Sequence, residues 1–336
     1  MGGFSFACNE ITLVLFTTLA PAGAVAYLIM GLPMLAGRVR GDAARRLNQC
    51  TCVPLVVAMV GLIASATHLG NPSNALYVFA GVGRSPLSTE VICAVAFLAL
   101  AGVYWLYSFA ERPRRGLQRA MLAAIDVAIV AFVIGVAFAY HVDTIPTWSL
   151  PLVPASLGLN ALMGGPVLAL ASFAAAGFAP GKRGGRVLLG LATAAWAANL
   201  VVYGVLGFQL QGIGNELVSA ADLAGSYPAF LGAFALLSAA GIVVAWRTER
   251  RYAAGPTAAD SAVGVAAGRA LDGGAEPAAA AAEPAADLAV NPQPIATVRT
   301  TASLPGLVVA SLLVFAALFV MRFTFYMTHL TLGLGV

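Results

Sequence analysis

The sequence has few charged residues and a single lysine. Only 10% of its 336 residues are charged, whereas 60% are hydrophobic, and the mean hydropathy is +0.89. A soluble domain does not have this balance, so the composition excludes one. The only lysine, Lys182, lies in a basic loop, which excludes a lysine Schiff base inside a membrane bundle.

Cysteine and histidine are also scarce. The four cysteines include one Cys-x-Cys but no Cys-x-x-Cys, and no cysteine or histidine cluster has the spacing of metal ligands. No two histidines can face each other across the interior of a membrane bundle, which excludes a haem held by two histidines. We therefore expect neither a metal site nor haem in this protein.

Long apolar runs dominate what is present. A bilayer core requires about 20 apolar residues per helix, and runs of that length recur between short polar segments. They predict an all-α, polytopic integral membrane protein with eight transmembrane helices, at residues 11–36, 49–67, 86–109, 120–140, 152–178, 187–208, 227–246 and 304–329.

The basic residues indicate how these helices are oriented. Sixteen of the 18 lie in the first, third, fifth and seventh loops between the predicted spans. Positive charge concentrates on the cytoplasmic side of membrane proteins, so both termini are predicted to lie outside. The basic pI of about 9.0 then reflects topology, and we expect no nucleic-acid partner.

Composition divides the protein into three parts. Residues 1–246 form a predicted seven-helix membrane bundle. Residues 247–303 are rich in Ala, Pro and Glu and poor in aromatic residues, which predicts a disordered cytoplasmic linker. Residues 304–336 are the eighth transmembrane helix and a short external tail.

A few polar residues fall near the outer ends of the spans. His68 ends the second span, and Ser85 is predicted to cap the third, with Pro86 at its first position. Glu90 then lies roughly 6 Å into that helix, within reach of both water and a lipid-soluble ligand. Two alternatives stay open for Glu90, an interfacial carboxylate or an ion-pair partner of Arg84 or Arg322.

The last span carries a second polar group. Arg322, Tyr326 and His329 share one stripe of the helix and approach the outer face. Such a set is either an aromatic belt with interfacial anchors or part of a site. Asp126 and Asn199 lie deeper. A buried acid such as Asp126 could relay protons, but hydrogen bonding to a neighbouring helix is the simpler interpretation of both residues.

The segment 67–97 resembles the connection between helices two and three in the dimethyl sulfoxide reductase anchor subunit family. That family has a His-Leu-Gly-x-Pro motif followed by Ser-x-x-Ser-x-Glu. The final span, with Arg322, Phe325 and Tyr326, is similar to the last helix of the family. The matching positions of the first motif are His68, Leu69, Gly70, Pro72, Ser85, Ser88 and Glu90.

The resemblance implies an anchor subunit in a prokaryotic cytoplasmic membrane that oxidises menaquinol to menaquinone in anaerobic respiration. It implies an iron–sulfur subunit and a molybdopterin catalytic subunit docked on the outer face. His68 and Glu90 would accept the quinol protons. The surrounding substrate contacts would be Gly70, Pro72, Ser85, Ser88, Arg322 and Tyr326.

Two other functions remain open at this point. An anchor of the polysulfide or tetrathionate reductase type shares the architecture, and the terminal acceptor never contacts the anchor. A secondary transporter is a different class, and Gly164, Gly165 and Pro166 interrupt the fifth span as in some transporters. No repeat relates the two halves of this sequence, which favours an anchor.

Overall fold

A computed structural model describes residues 2–68, 77–111, 113–214, 218–253 and 302–330. This part of the protein is helical, with short connecting turns. Its α-helices are α1 (Gly3–Asn9), α2 (Ile11–Leu35), α3 (Gly41–Cys50), α4 (Cys52–Thr67), α5 (Tyr77–Ala80), α6 (Pro86–Tyr107), α7 (Arg115–Ala139), α8 (Leu152–Ala175), α9 (Gly181–Gln209), α10 (Ala220–Leu223), α11 (Tyr227–Ala253) and α12 (Leu304–Met327).

Eight helical segments of the described residues are long and apolar enough to cross a membrane, which confirms the predicted eight-span all-α fold. Helices α3 and α4 together count as one of them. The others are α2, α6, α7, α8, α9, α11 and α12. The protein is therefore a multi-pass membrane protein.

Two of these helices form the centre of the bundle. Helices α2 and α8 are buried over most of their surface and pack against each other. Helix α2 also contacts α4, α7 and α12, and α8 also contacts α7, α9 and α12. The peripheral spans bury a smaller part of their surface, as expected for helices that face lipid on one side.

Small residues allow the central helices to approach closely. A Cβ atom on Gly23 of α2 would lie 2.7 Å from the backbone nitrogen of Ala58 in α4. A Cβ atom on Gly61 of α4 would lie 2.8 Å from the backbone nitrogen of Ala20. Backbones this close require glycine, because a Cβ atom would overlap the facing helix. Small residues at such contacts are typical of membrane helices, which associate by close packing.

The eighth span is packed into the bundle. Helix α12 lies along α11 and also contacts α8, α2 and the short helix α1. A Cβ atom on Gly241 of α11 would lie 2.9 Å from the carbonyl oxygen of Ala310. Phe4 of α1 meets Phe323 of α12 with ring centroids 5.2 Å apart. Residues at the end of α12 can therefore contribute to an internal site.

Several helix ends differ from the predicted limits. Helices α7 and α9 begin several residues earlier, at Arg115 and Gly181, because the helix continues beyond the apolar run. Helix α11 extends to Ala253, into the segment predicted as a linker. Residues 254–301, the rest of that segment apart from its last two residues, lie outside the described residues, as does the tail from 331 onward.

The loops define two ends of the bundle. The His68 end carries the ends of α4 and α7 and the beginnings of α2, α6 and α8. The arginine end carries Arg38–Arg46, Arg114–Arg119, Lys182–Arg186 and Arg247–Arg250. The assignment of the arginine end to the cytoplasm remains a prediction from charge.

Candidate functional site

His68 is the C-cap of α4 and lies close to a carboxylate that the sequence pattern did not reveal. Its Nδ1 atom lies 3.3 Å from Oε2 of Glu10, which stands between α1 and α2. The side chains are 43% and 18% exposed, respectively. Glu10 thus lies beside an accessible histidine at the rim of the His68 end of the bundle.

The start of α6 follows the predicted chemistry. Ser85 is the N-cap, its hydroxyl accepts a hydrogen bond from the backbone N–H of Ser88, and Pro86 occupies the first turn. This confirms the predicted cap. Ser85 is half-buried and Ser88 is buried. Gly70 and Pro72, from the same motif, lie outside the described residues.

Glu90 lies in the second turn of α6 and is buried, with 3% of its surface exposed. A Cβ atom on Gly135 of α7 would lie 3.2 Å from the Cα atom of Glu90, so glycine makes room for the α6 backbone. Within the described part of the protein, Oε2 of Glu90 has no hydrogen-bond partner. No ion pair joins Glu90 to His68, Arg84 or Arg322, all of which are described.

Arg322 of α12 is completely buried. Its Nε–H donates to Oγ1 of Thr17 in α2 across 3.0 Å, and its guanidinium lies 4.1 Å from the ring centroid of Phe325. The ring centroids of Tyr140 and Tyr326 are each 5.6 Å away. Nη1 and Nη2 have no hydrogen-bond partner among the described residues. Aromatic faces stabilise the charge only in part, so these donors are available to a ligand or water.

Aromatic side chains enclose this arginine, and Trp148 was not predicted among them. Trp148 stacks on Phe325 at 4.7 Å and meets the edge of Tyr326 at 5.5 Å. Tyr140 contacts both Trp148 and Tyr326. We call Tyr140, Trp148, Phe325 and Tyr326 the aromatic cluster. Predicting Trp148 would have required knowing that the loop before α8 folds over the end of α12, where the hydroxyl of Thr147 donates to the carbonyl of Thr328 at 2.7 Å.

His329 follows the end of α12 and joins this end of the bundle to α1. Its ring stacks on Phe6 at 4.2 Å with an interplanar angle of 11° and meets Trp148 at 5.1 Å. The side chain is half-buried, and desolvation lowers the pKa of His329 below its usual value of 6.5. Arg322, Tyr326 and His329 belong to one connected group through Trp148. They do not form the predicted helical stripe, because α12 ends at Met327, before His329.

A small cavity lies beside the aromatic cluster. Its volume is about 30 Å³ and it is lined by Thr147, Ser156, Tyr203, Met321, Phe325 and Thr328, among others. The hydroxyl of Tyr203 donates to Oδ1 of Asn160 at 3.0 Å, and Nδ2 of Asn160 has no partner among the described residues. The lining also includes Leu150, Val153, Leu206 and Leu210. A cavity of this size with a mainly apolar lining is too small for a ring system.

The deeper polar residues are separate features. Asp126 of α7 is half-buried and close to Gly31 of α2. Asn199 of α9 is completely buried, and neither atom of its amide has a hydrogen-bond partner within the described residues. The hydrogen bond between helices that was expected for Asn199 is therefore not formed by the described groups.

Fold and site together define a class: a multi-pass helical membrane protein with a histidine–glutamate pair at one rim and a buried glutamate and arginine behind it. Comparisons with known proteins make this class specific. Residues 5–265 match the family described as DMSO reductase anchor subunit (DmsC). The protein belongs to that family, as its motifs predicted. The matched segment covers the first seven spans and ends before α12.

Individual relatives agree with the family match. The protein is 30% identical over 242 residues to the C subunit of anaerobic dimethyl sulfoxide reductase of Escherichia coli (strain K12), covering 71% of its own length and 78% of that relative. It is 31% identical over 168 residues to the anaerobic dimethyl sulfoxide reductase subunit YnfH of the same organism, covering 50% and 59%. It is 29% identical over 221 residues to the C subunit of the Haemophilus influenzae enzyme, covering 65% and 77%.

Proposed function

We propose that this protein is the membrane anchor subunit of a dimethyl sulfoxide reductase-type complex and that it oxidises menaquinol at the His68 end. Membership of the DMSO reductase anchor family supports the anchor role and favours it over a secondary transporter. The observation that carries the site is the buried Glu90 carboxylate, whose Oε2 has no partner among the described residues, at the same end of the bundle as the exposed His68.

The chemistry requires two proton acceptors and an exit for two electrons. Oxidation of menaquinol to menaquinone releases two protons, one from each hydroxyl, and two electrons. In our proposal His68 takes one proton and is held by Glu10, 3.3 Å away, and it can release the proton to water because it is exposed. Glu90 takes the second proton. The two electrons leave for the partner subunit, whereas the two protons pass to side chains of this protein.

Further residues can contact the oxygen atoms and the ring of the quinol. Ser85 and Ser88 are polar groups close to Glu90 in sequence, and Gly70 and Pro72 belong to the same motif. Arg322 has two nitrogen atoms that lack partners among the described residues, which suits a hydrogen bond to the developing quinone carbonyl. Tyr326, beside Arg322, contributes an aromatic face to the ring.

We further propose that the His68 end faces the outside and carries the iron–sulfur subunit, which passes the electrons to the molybdopterin catalytic subunit. The positive charge at the opposite end supports this orientation. An anchor serving a polysulfide or tetrathionate reductase would have the same site. The acceptor that the purified complex reduces, tested over a panel including dimethyl sulfoxide, separates these possibilities.

Copurification tests the class and the partners together. The native protein should purify with two larger polypeptides, iron and molybdenum, and the complex should bind a quinol-analogue inhibitor. Purification alone, without metal and without inhibitor binding, would disprove the anchor role. The site is tested by His68→Asn and Glu90→Gln in the assembled complex, with Asp143→Asn as a control because Asp143 is an exposed carboxylate at the same end. Turnover should be lost only in the first two variants, and unchanged turnover in both would relocate the site.

A further inference from the structure

A cavity lined only by described residues lies at the arginine end, opposite the proposed quinol site. Its volume is about 340 Å³, within the range of small-molecule sites. It opens between the loop that joins α2 to α3 and the loop that joins α6 to α7. Nothing in the proposed quinol chemistry uses this cavity.

Arginine side chains dominate the lining of this cavity. Among the described residues, four arginines line it, and all four are exposed: Arg40, Arg45, Arg115 and Arg119. None of them forms an ion pair with a described residue. Two carboxylates, Asp42 and Glu111, also line the cavity, so guanidinium groups outnumber carboxylates two to one. We call this space the arginine cavity.

Gly37 gives one of these arginines its position. The residue has a φ of +67°, a conformation that glycine adopts without strain. A Cβ atom there would overlap the guanidinium of Arg119. Glycine thus permits both the turn that ends α2 and the close approach of Arg119. The guanidinium of Arg119 therefore lies against Gly37 at the cavity wall.

Two helices begin at the same cavity. The first residues of α3 and α7, Gly41 and Arg115, both belong to its lining. Neither helix has a side-chain hydrogen bond from its N-cap residue. Free backbone N–H groups and the helix dipole add positive potential at a helix start, and together with arginine they favour phosphate oxygens.

The floor of the cavity is both apolar and polar. Met34 and Leu122 contribute apolar surface. Tyr104 and Asn48 are buried there, and the hydroxyl of Tyr104 donates to Oδ1 of Asn48 at 2.7 Å. An amphiphilic ligand can therefore place its charged group among the arginines and its glycerol or hydrocarbon part against this floor.

We propose that the arginine cavity binds a phosphate group. The phosphate comes either from the head group of an anionic phospholipid or from a soluble phosphate compound. A basic pocket between membrane helices at the cytoplasmic surface suits a phospholipid, because the inner leaflet carries anionic head groups. The same pocket is open to soluble phosphate compounds. The site is independent of menaquinol oxidation and of the residues assigned to it.

The test uses two double variants of the purified complex that remove the same charge. Arg45→Gln with Arg119→Gln removes guanidinium groups from α3 and α7, on two sides of the cavity. Arg183→Gln with Arg247→Gln removes two arginines of the same end that do not line it. Each complex is delipidated and probed with inorganic phosphate, with sodium chloride at matched ionic strength, and in nanodiscs of phosphatidylcholine with or without phosphatidylglycerol.

Binding is measured as lipid retained in native mass spectra and as a shift of the melting temperature. A phospholipid site predicts retention of phosphatidylglycerol and no effect of inorganic phosphate; a soluble-phosphate site predicts stabilisation by inorganic phosphate. Binding of the phosphate group should be at least about tenfold weaker in the variant with Arg45→Gln and Arg119→Gln, because charge-assisted hydrogen bonds are lost. It should be unchanged in the variant with Arg183→Gln and Arg247→Gln. Menaquinol oxidation at saturating quinol should be the same in both. Absence of both responses, or an equal loss in the two variants, would overturn the proposal.

Discussion

Arg322 of the eighth span and Thr17 of the first are joined by a hydrogen bond of 3.0 Å from Nε to Oγ1. The two residues are 305 positions apart in the sequence. Both are buried, and the hydroxyl of Thr17 at the same time donates to the carbonyl of Leu13 at 2.9 Å. One threonine thus holds a charged side chain at the centre of the bundle, next to the aromatic cluster.

Replacing Thr17 by valine should destabilise the protein. Valine has the same shape but leaves the Nε–H of Arg322 without an acceptor, and a lost hydrogen bond to a buried charge costs about 1.5–3 kcal/mol. Thr18→Val is the matched control, because Thr18 is buried and its hydroxyl, among the described residues, donates only to the carbonyl of Val14 in its own helix. Melting of the solubilised complex measures the difference. Equal melting temperatures would show that the bond to Arg322 contributes nothing.

Glu10→Gln should lower menaquinol turnover without abolishing it. The carboxylate of Glu10 lies 3.3 Å from Nδ1 of His68 at a partly exposed site, where such a contact contributes about 0.2–1 kcal/mol, or up to about fivefold in kcat/KM. The His68→Asn variant should lose turnover entirely. Asp143→Asn, which removes an exposed carboxylate from the same end, should have the activity of the unmodified complex. A loss in Asp143→Asn as large as in Glu10→Gln would contradict a specific role for Glu10.

Gly241→Leu should loosen the eighth span. A Cβ atom at Gly241 would lie 2.9 Å from both the carbonyl oxygen of Ala310 and Cγ2 of Val314, so leucine must push α12 away from α11. Overpacking of this kind costs about 1–3 kcal/mol. Gly232→Leu in the same helix is the control, because a Cβ atom there meets nothing within 4 Å. Only the first variant should melt earlier and lose inhibitor binding, and identical behaviour of the two would show that α12 is not held by this contact.

The sequence predicted the spans and the cap of α6 because both depend on local patterns. Eight apolar runs define eight membrane-spanning segments, and Ser85 followed by Pro86 defines a helix start. The sequence did not predict that Glu10 lies against His68 or that Thr17 binds Arg322. These contacts depend on how α1, α2, α4 and α12 pack, and nothing in the sequence around Glu10 or Thr17 distinguishes them from other polar residues at helix ends or within apolar helices.

The contact between α1 and the end of α12 should weaken in acid. Burial lowers the pKa of His329, so the packed state takes up the proton at lower pH than the unpacked state. Stability from this group is therefore complete above the usual pKa of 6.5, falls as the pH drops toward the lowered value, and is lost below it. Melting temperatures at about pH 7.5 and about pH 5 should differ less in His329→Phe, which keeps a ring against Phe6 but cannot bind a proton. His68→Asn, which changes the exposed histidine beside Glu10, is the control and should keep the part of the pH dependence that His329 causes. An unchanged pH dependence in His329→Phe would show that the stacked histidine does not cause it.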